Sequence, residues 1–226
     1  MNEEKSIFKD PALPYIAPFV SFILLLVLMP RLSLGRWEQP VWVLVLTLVL
    51  FFFSRRVIDF RPRHAFWSIG VGIGVFILWV APDLLWPEYR THWLFQNFLT
   101  GGLTSLRTGA WTAGNMALVM RVIRAVVLVP IIEELFWRGW LMRWMISDNF
   151  LKVPLGSYTA YSFWVTALLF ASEHGPYWEV GLLAGIAYNL WIIRTKKLGD
   201  CILAHVVTNG VLSAFVILFG RWEYWL

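Results

Sequence analysis

The sequence predicts an all-α fold, a polytopic transmembrane helical bundle with about seven to eight membrane-spanning helices. Three observations predict it. Hydrophobic residues make up 59% of the 226 positions and charged residues only 15%, against about 45–50% and about 25% in soluble domains. Fifteen residues are tryptophan, whose indole rings collect at the headgroup level of a bilayer. Apolar runs long enough to cross about 30 Å of hydrocarbon recur along the chain. The net charge of +5 does not indicate nucleic acid, because the basic residues fall between apolar runs rather than on one face.

The first span covers about 13–30. It ends at Pro30-Arg31 with no small-residue cleavage site, and residues 1–9 are not purely basic, so it reads as a retained span rather than a signal peptide. The second, 40–54, is short and extends through Arg55 and Arg56 by snorkelling. The third, 66–86, contains Gly70-x-x-x-Gly74, a spacing that lets helix backbones approach closely. Segment 87–115 is more polar, with Trp93, Phe95, Phe98 and Trp111 interspersed; a long loop, an interfacial helix and an eighth short span all fit it. The fourth span covers 116–142. The fifth, 158–174, stops at Gly175-Pro176. The sixth, 178–195, carries Gly181-x-x-x-Gly185, again a packing spacing. The seventh covers 199–219. The single cysteine, Cys201, excludes an intramolecular disulfide.

Loop charge orients the bundle. With seven spans and the N-terminus inside, the inner segments carry Lys5, Lys9, Arg55, Arg56, Arg61, Arg63, Arg138, Arg143, Lys152, Arg194, Lys196 and Lys197. The outer ones carry Arg31, Arg36, Arg90, Arg107 and Arg221. Twelve against five favours a cytoplasmic N-terminus and an external C-terminus, in a cell membrane.

Within this apolar background the polar residues of the second half stand out. A carboxylate at the centre of a membrane helix costs roughly 2.5–3.5 kcal/mol on insertion scales, and the fourth span carries two, Glu133 and Glu134. Adjacent helical positions differ by about 100°, so the two cannot point the same way. Glu134 and Arg138, four apart with the acid first, form a favourable pair on one face. Glu133 is left without a local partner, and an enclosed carboxyl of this kind suits general-base chemistry. Pro130, one turn upstream, frees backbone carbonyls that need a partner and widens the site; an ordinary proline kink is the plainer reading. Glu173 and Glu179 read most simply as solvated end-of-helix charges. His205 and Asn209, four apart, share a helix face and can aim two donors at one oxygen or serve as interhelical glue. Glu with two His also fits a zinc site, and Cys201 with His205 could share a metal. However, neither His-x-x-x-His nor His-Glu-x-x-His occurs, and a lone buried Cys is more often a small apolar filler.

These residues resemble the three motifs of the CPBP family of intramembrane proteases, also called the abortive-infection or CAAX-protease-like family. Glu-Glu-x-x-x-Arg reads Glu133-Glu134-Leu-Phe-Trp-Arg138. Phe-x-x-x-His reads Phe170-Ala-Ser-Glu-His174. His-x-x-x-Asn reads His205-Val-Val-Thr-Asn209. The resemblance implies a catalytic core over 116–219, with 1–115 supplying N-terminal spans and a polar, aromatic loop, all within one integral membrane domain. It further implies an intramembrane glutamic endopeptidase, of a family formerly classed as metalloproteases, acting on a membrane-anchored protein or peptide such as a CAAX-type tail. Glu133 with His174 would activate a water, His205 and Asn209 would stabilise the oxyanion, and Glu134 with Arg138 would brace the site. No cofactor is expected, with zinc as the runner-up. The compact size points to a bacterial subgroup of CAAX-prenyl-protease-related proteins. A non-catalytic membrane scaffold or immunity protein of the same fold is the alternative, and a transporter or proton relay a third reading.

Overall fold

Lipid offers a backbone no hydrogen-bond partners, so an apolar chain that enters it must pair its own N–H and C=O groups along helices. The computed structural model, which describes residues 10–101 and 114–225, follows this rule. Helix α1 is Leu13–Leu32, α2 is Glu38–Val49 continued by a wider turn at Leu50–Ser54, and α3 is Ala65–Leu85. Helix α4 is Asn115–Trp144, α5 is Ala160–Ser172, α6 is Trp178–Thr195 and α7 is Leu198–Phe219. Short 3₁₀ turns join them, and among the described residues the only extended pairing is an isolated bridge between Asn97 and Gly101.

Five of the seven, α1, Gly35–Ser54, α3, α4 and α7, are long and apolar enough to cross a membrane. The other two expected spans fall short for separate reasons. Helix α5 has 13 residues and rises about 20 Å, less than the hydrocarbon thickness. Helix α6 has 18 residues but is diluted by Glu179, Asn189 and Arg194. Between 87 and 101 the chain forms a 3₁₀ turn and tight turns rather than an eighth span. Lys5, Lys9, Arg107 and Trp111 lie outside the described residues.

Large apolar side chains are exposed all along the outer faces, from Leu24 of α1 to Phe66 of α3 and Leu218 of α7. A helix apolar on every side is built for lipid. The interior is filled by Trp42, Leu46, Ile132, Leu135, Phe170 and Val216, which form one continuous cluster. Helices α3 and α7 meet most closely at Gly72, where an added Cβ would strike the Ala204 carbonyl and sit 2.7 Å from Val207. Gly70 and Gly74 face open space instead, so the close approach belongs to the glycine between them. Gly185 does pack, against Ala167 of α5.

Polar contacts tie the bundle at both ends. At one end Asp200 of α7 accepts from the His64 N–H (2.8 Å) and the Ser68 hydroxyl (3.1 Å), closing the start of α3. Lys197 pairs there with Asp59. At the other end Arg90 pairs with Asp83 (2.9 Å) and Glu179 (2.7 Å) and donates to the Pro176 carbonyl. Glu179 is therefore an ion-pair partner, not the solvated charge expected.

Candidate active site

Helix α4 is irregular where the site lies. Pro130 has no N–H, so the carbonyls one turn before it lose their usual partner. The helix widens over Arg124–Leu128, where Val129 N–H reaches back to the Arg124 carbonyl. The next carbonyl, Ala125, would need the N–H that Pro130 lacks. It accepts instead from Asn209 Nδ2 of α7 at 2.9 Å. One N–H of the Asn209 amide is thus committed to the backbone, and the other makes no hydrogen bond among the described residues.

Glu133 and Glu134 follow on α4, 7% and 0% exposed, and face different surroundings, as their 100° offset requires. Glu134 Oε1 accepts from Arg138 Nη1 (3.0 Å) and lies 2.9 Å from His205 Nδ1. Arg138, itself 1% exposed, also donates to Asn189 Oδ1 (3.0 Å) and the Gly185 carbonyl (3.3 Å). Its guanidinium lies over the Phe170 ring at 4.7 Å. Asn189 passes the connection on to the Phe163 carbonyl of α5. One charged pair therefore links α4, α5, α6 and α7. A carboxylate facing Nδ1 calls for the hydrogen on that nitrogen, which turns Nε2 toward the other acid. His205 Nε2 lies 3.9 Å from Glu133 Oε2, too far for a direct hydrogen bond. That oxygen makes no hydrogen bond among the described residues.

His174 arrives from the turn after α5, where Gly175 takes a positive φ of 49°. Its Nδ1 faces the Phe170 carbonyl at 2.8 Å, which makes Nδ1 the donor and leaves Nε2 unprotonated. Trp79 of α3 meets the ring edge-on at 5.1 Å. Gly181 has no side chain where a Cβ would come within 3.0 Å of the ring. His174, just beyond the end of this short helix, lines the same cavity as Glu133 of α4. One cavity of about 400 Å³ is lined by Glu133, His174, His205 and Asn209 together.

Several lining groups were not anticipated. Glu173, read as a solvated charge, is on the cavity wall. Tyr188 of α6 stacks on His205 at 4.9 Å and donates to Thr208. Asn189 carried the one available signal, a buried amide in an apolar helix. Cys201 is buried with its thiol toward the Tyr188 carbonyl, as an apolar filler would be. Among the described residues no three His, Cys, Asp or Glu side chains are grouped as ligands of one ion.

An all-α membrane bundle with acids, imidazoles and a guanidinium enclosed between its helices defines the class: a polytopic membrane protein with an intramembrane polar site. Residues 115–211 match the family model described as Rce1-like, type II CAAX prenyl endopeptidase Rce1-like. The match spans all three motifs and leaves α1–α3 outside it. No curated protein and no solved structure matches the chain.

Proposed function

We propose that the protein is an intramembrane endopeptidase that hydrolyses a peptide bond of a membrane-associated protein with Glu133 as the base. The observation that carries this reading is the convergence of Glu133, His174, His205 and Asn209 on one cavity from α4, the α5–α6 turn and α7. The family-model match over residues 115–211 supports a CAAX-type membrane peptidase in general; the roles below are our own assignment.

A water held between Glu133 and His174 Nε2 gives its proton to the Glu133 carboxylate as its oxygen attacks the scissile carbonyl carbon. The carbonyl π pair moves onto oxygen. His205, whose Nδ1 is held by Glu134, and the second N–H of Asn209 stabilise that oxyanion. As the C–N bond breaks, Glu133 returns the proton to the leaving nitrogen. Glu134 and Arg138 keep the His205 ring fixed, and no metal is required. A substrate tethered to the bilayer suits a cavity enclosed by lipid-facing helices. The end that carries Arg55, Arg56, Arg61, Arg63, Lys152, Lys196 and Lys197 is assigned to the cytoplasm, which leaves the N-terminus there too.

The test is cleavage of a membrane-tethered fluorogenic peptide by the purified full chain. Glu133→Gln keeps shape and removes the base, and turnover should fall at least about 100-fold, the low end of general-base contributions. Turnover within a few fold of the parent protein would remove Glu133 from the chemistry and favour the scaffold role. Activity should also survive a strong zinc chelator; chelator-sensitive activity restored by added zinc would overturn the metal-free mechanism.

A further inference from the structure

The cavity has a second polar wall that the hydrolytic mechanism does not use. Arg121 and Arg124 both line it, and Arg124 is nine residues before Glu133, roughly 13 Å along the axis. Arg124 forms no hydrogen bond or ion pair among the described residues; its guanidinium lies over Trp42 at 4.5 Å. Arg121 donates to the Trp225 carbonyl (2.9 Å) and lies over that indole at 5.1 Å. Among the described residues no carboxylate forms an ion pair with either. Two neighbouring cations in an apolar wall call for an anion.

The surroundings say which anion. Beside the arginines the wall is apolar, made by Phe22, Ile23 and Leu26 of α1. Ile23 is 37% and Leu26 47% exposed, so this side of the cavity is open to the acyl chains. Helix α4, with 30 residues, rises about 45 Å, the full bilayer thickness including headgroups. Arg121 and Arg124 lie roughly 9–14 Å inside its outer end, within a side chain's reach of the headgroup layer. Trp42, Tyr224 and Trp225 pack around them as buried aromatic side chains. A lipid phosphate is at this depth in every leaflet, whereas a peptide carboxylate would have to be carried there.

We propose that Arg124, with Arg121, binds the phosphate of a membrane phospholipid whose acyl chain lies along Phe22, Ile23 and Leu26, so that a lipid occupies the outer mouth of the cavity. Lipid binding here does not depend on whether the cavity cleaves peptides, and it is read without activity. Phosphatidylglycerol bearing a fluorescent acyl chain is titrated into the purified full chain in non-ionic detergent, following energy transfer from tryptophan. The diacylglycerol with the same chains is the probe lacking phosphate. The phospholipid should bind about tenfold more tightly than the diacylglycerol, the size of one charge-assisted contact. Arg124→Gln should remove most of that preference, Arg124→Lys should fall between, and Arg36→Gln, at an exposed position at the same end, should change nothing. Equal affinity for the two probes in the unaltered protein overturns the proposal, as does a preference that survives Arg121→Gln and Arg124→Gln together. If instead amidating the C-terminus of a cleaved peptide weakens its processing in an Arg124-dependent way while the two lipids bind alike, the anion is the substrate's own carboxylate.

Discussion

Glu134 shares one oxygen between Arg138 and His205, and Arg138 in turn reaches Asn189 and the Gly185 carbonyl. Every member of this chain is buried. Removing one partner of such a pair strands the other charge and costs about 3–5 kcal/mol. Arg138→Ala should therefore lower the thermal midpoint in detergent sharply. Arg138→Lys should recover only part of it, because an ammonium cannot reach Glu134, Asn189 and Gly185 at once. Glu133→Gln should leave the midpoint nearly unchanged, since Glu133 Oε2 makes no hydrogen bond among the described residues. A large loss of stability in Glu133→Gln would show that this acid is structural. The i,i+4 pair was legible in the sequence because it is a local relation on one helix. The bridging position of His205 between the two acids was not, because it depends on how α7 lies across α4. Asn189 was visible as a polar residue in an apolar run, but its partners come from two other helices.

Helix α4 shows the same division at the scale of one element. Pro130 announced unsatisfied carbonyls, and the sequence could say that a partner was needed but not which. The partner is Asn209, 84 positions away, and its own spacing from His205 is what aims both side chains at α4. This gives a test by double-mutant cycle. Asn209→Ala alone leaves the Ala125 carbonyl buried without a donor and should cost about 1–3 kcal/mol. Pro130→Ala restores a backbone N–H, so in that background the Asn209→Ala cost should fall by at least about 1 kcal/mol. Equal costs in the two backgrounds, measured from thermal or denaturant unfolding, would mean that the amide does not serve the proline's orphaned carbonyl. The glycines make a related point. Spacing alone drew attention to Gly70 and Gly74, yet the intimate contact is at Gly72, because the side of α3 that meets α7 is set by the whole bundle.

For the molecule as a whole, all seven apolar segments are helices, and composition alone indicated as much. What composition could not give was length: α5, at 13 residues, is shorter than a span, and His174 just beyond its end lines the same cavity as Glu133. The turn that follows α5 is held by Arg90, which lies over Tyr177 at 4.0 Å and joins Asp83 at the end of α3 to Glu179 at the start of α6. The 86–96 loop is in this way locked to the segment that carries His174. Arg90→Ala would leave two largely buried acids, 10% and 16% exposed, facing each other without a counter-charge. Hydrogen exchange should rise in residues 172–179 and 86–96, and turnover should fall as His174 loses its fixed position. The exposed pair at the opposite end, Lys197 with Asp59, is worth at most about 1 kcal/mol. Lys197→Gln should therefore alter neither measurement. A rise in exchange spread evenly over all helices after Arg90→Ala would indicate general destabilisation and refute a specific lock on the turn. A rise confined to those two segments, together with lost turnover, would tie the 86–96 loop to the chemistry of the cavity.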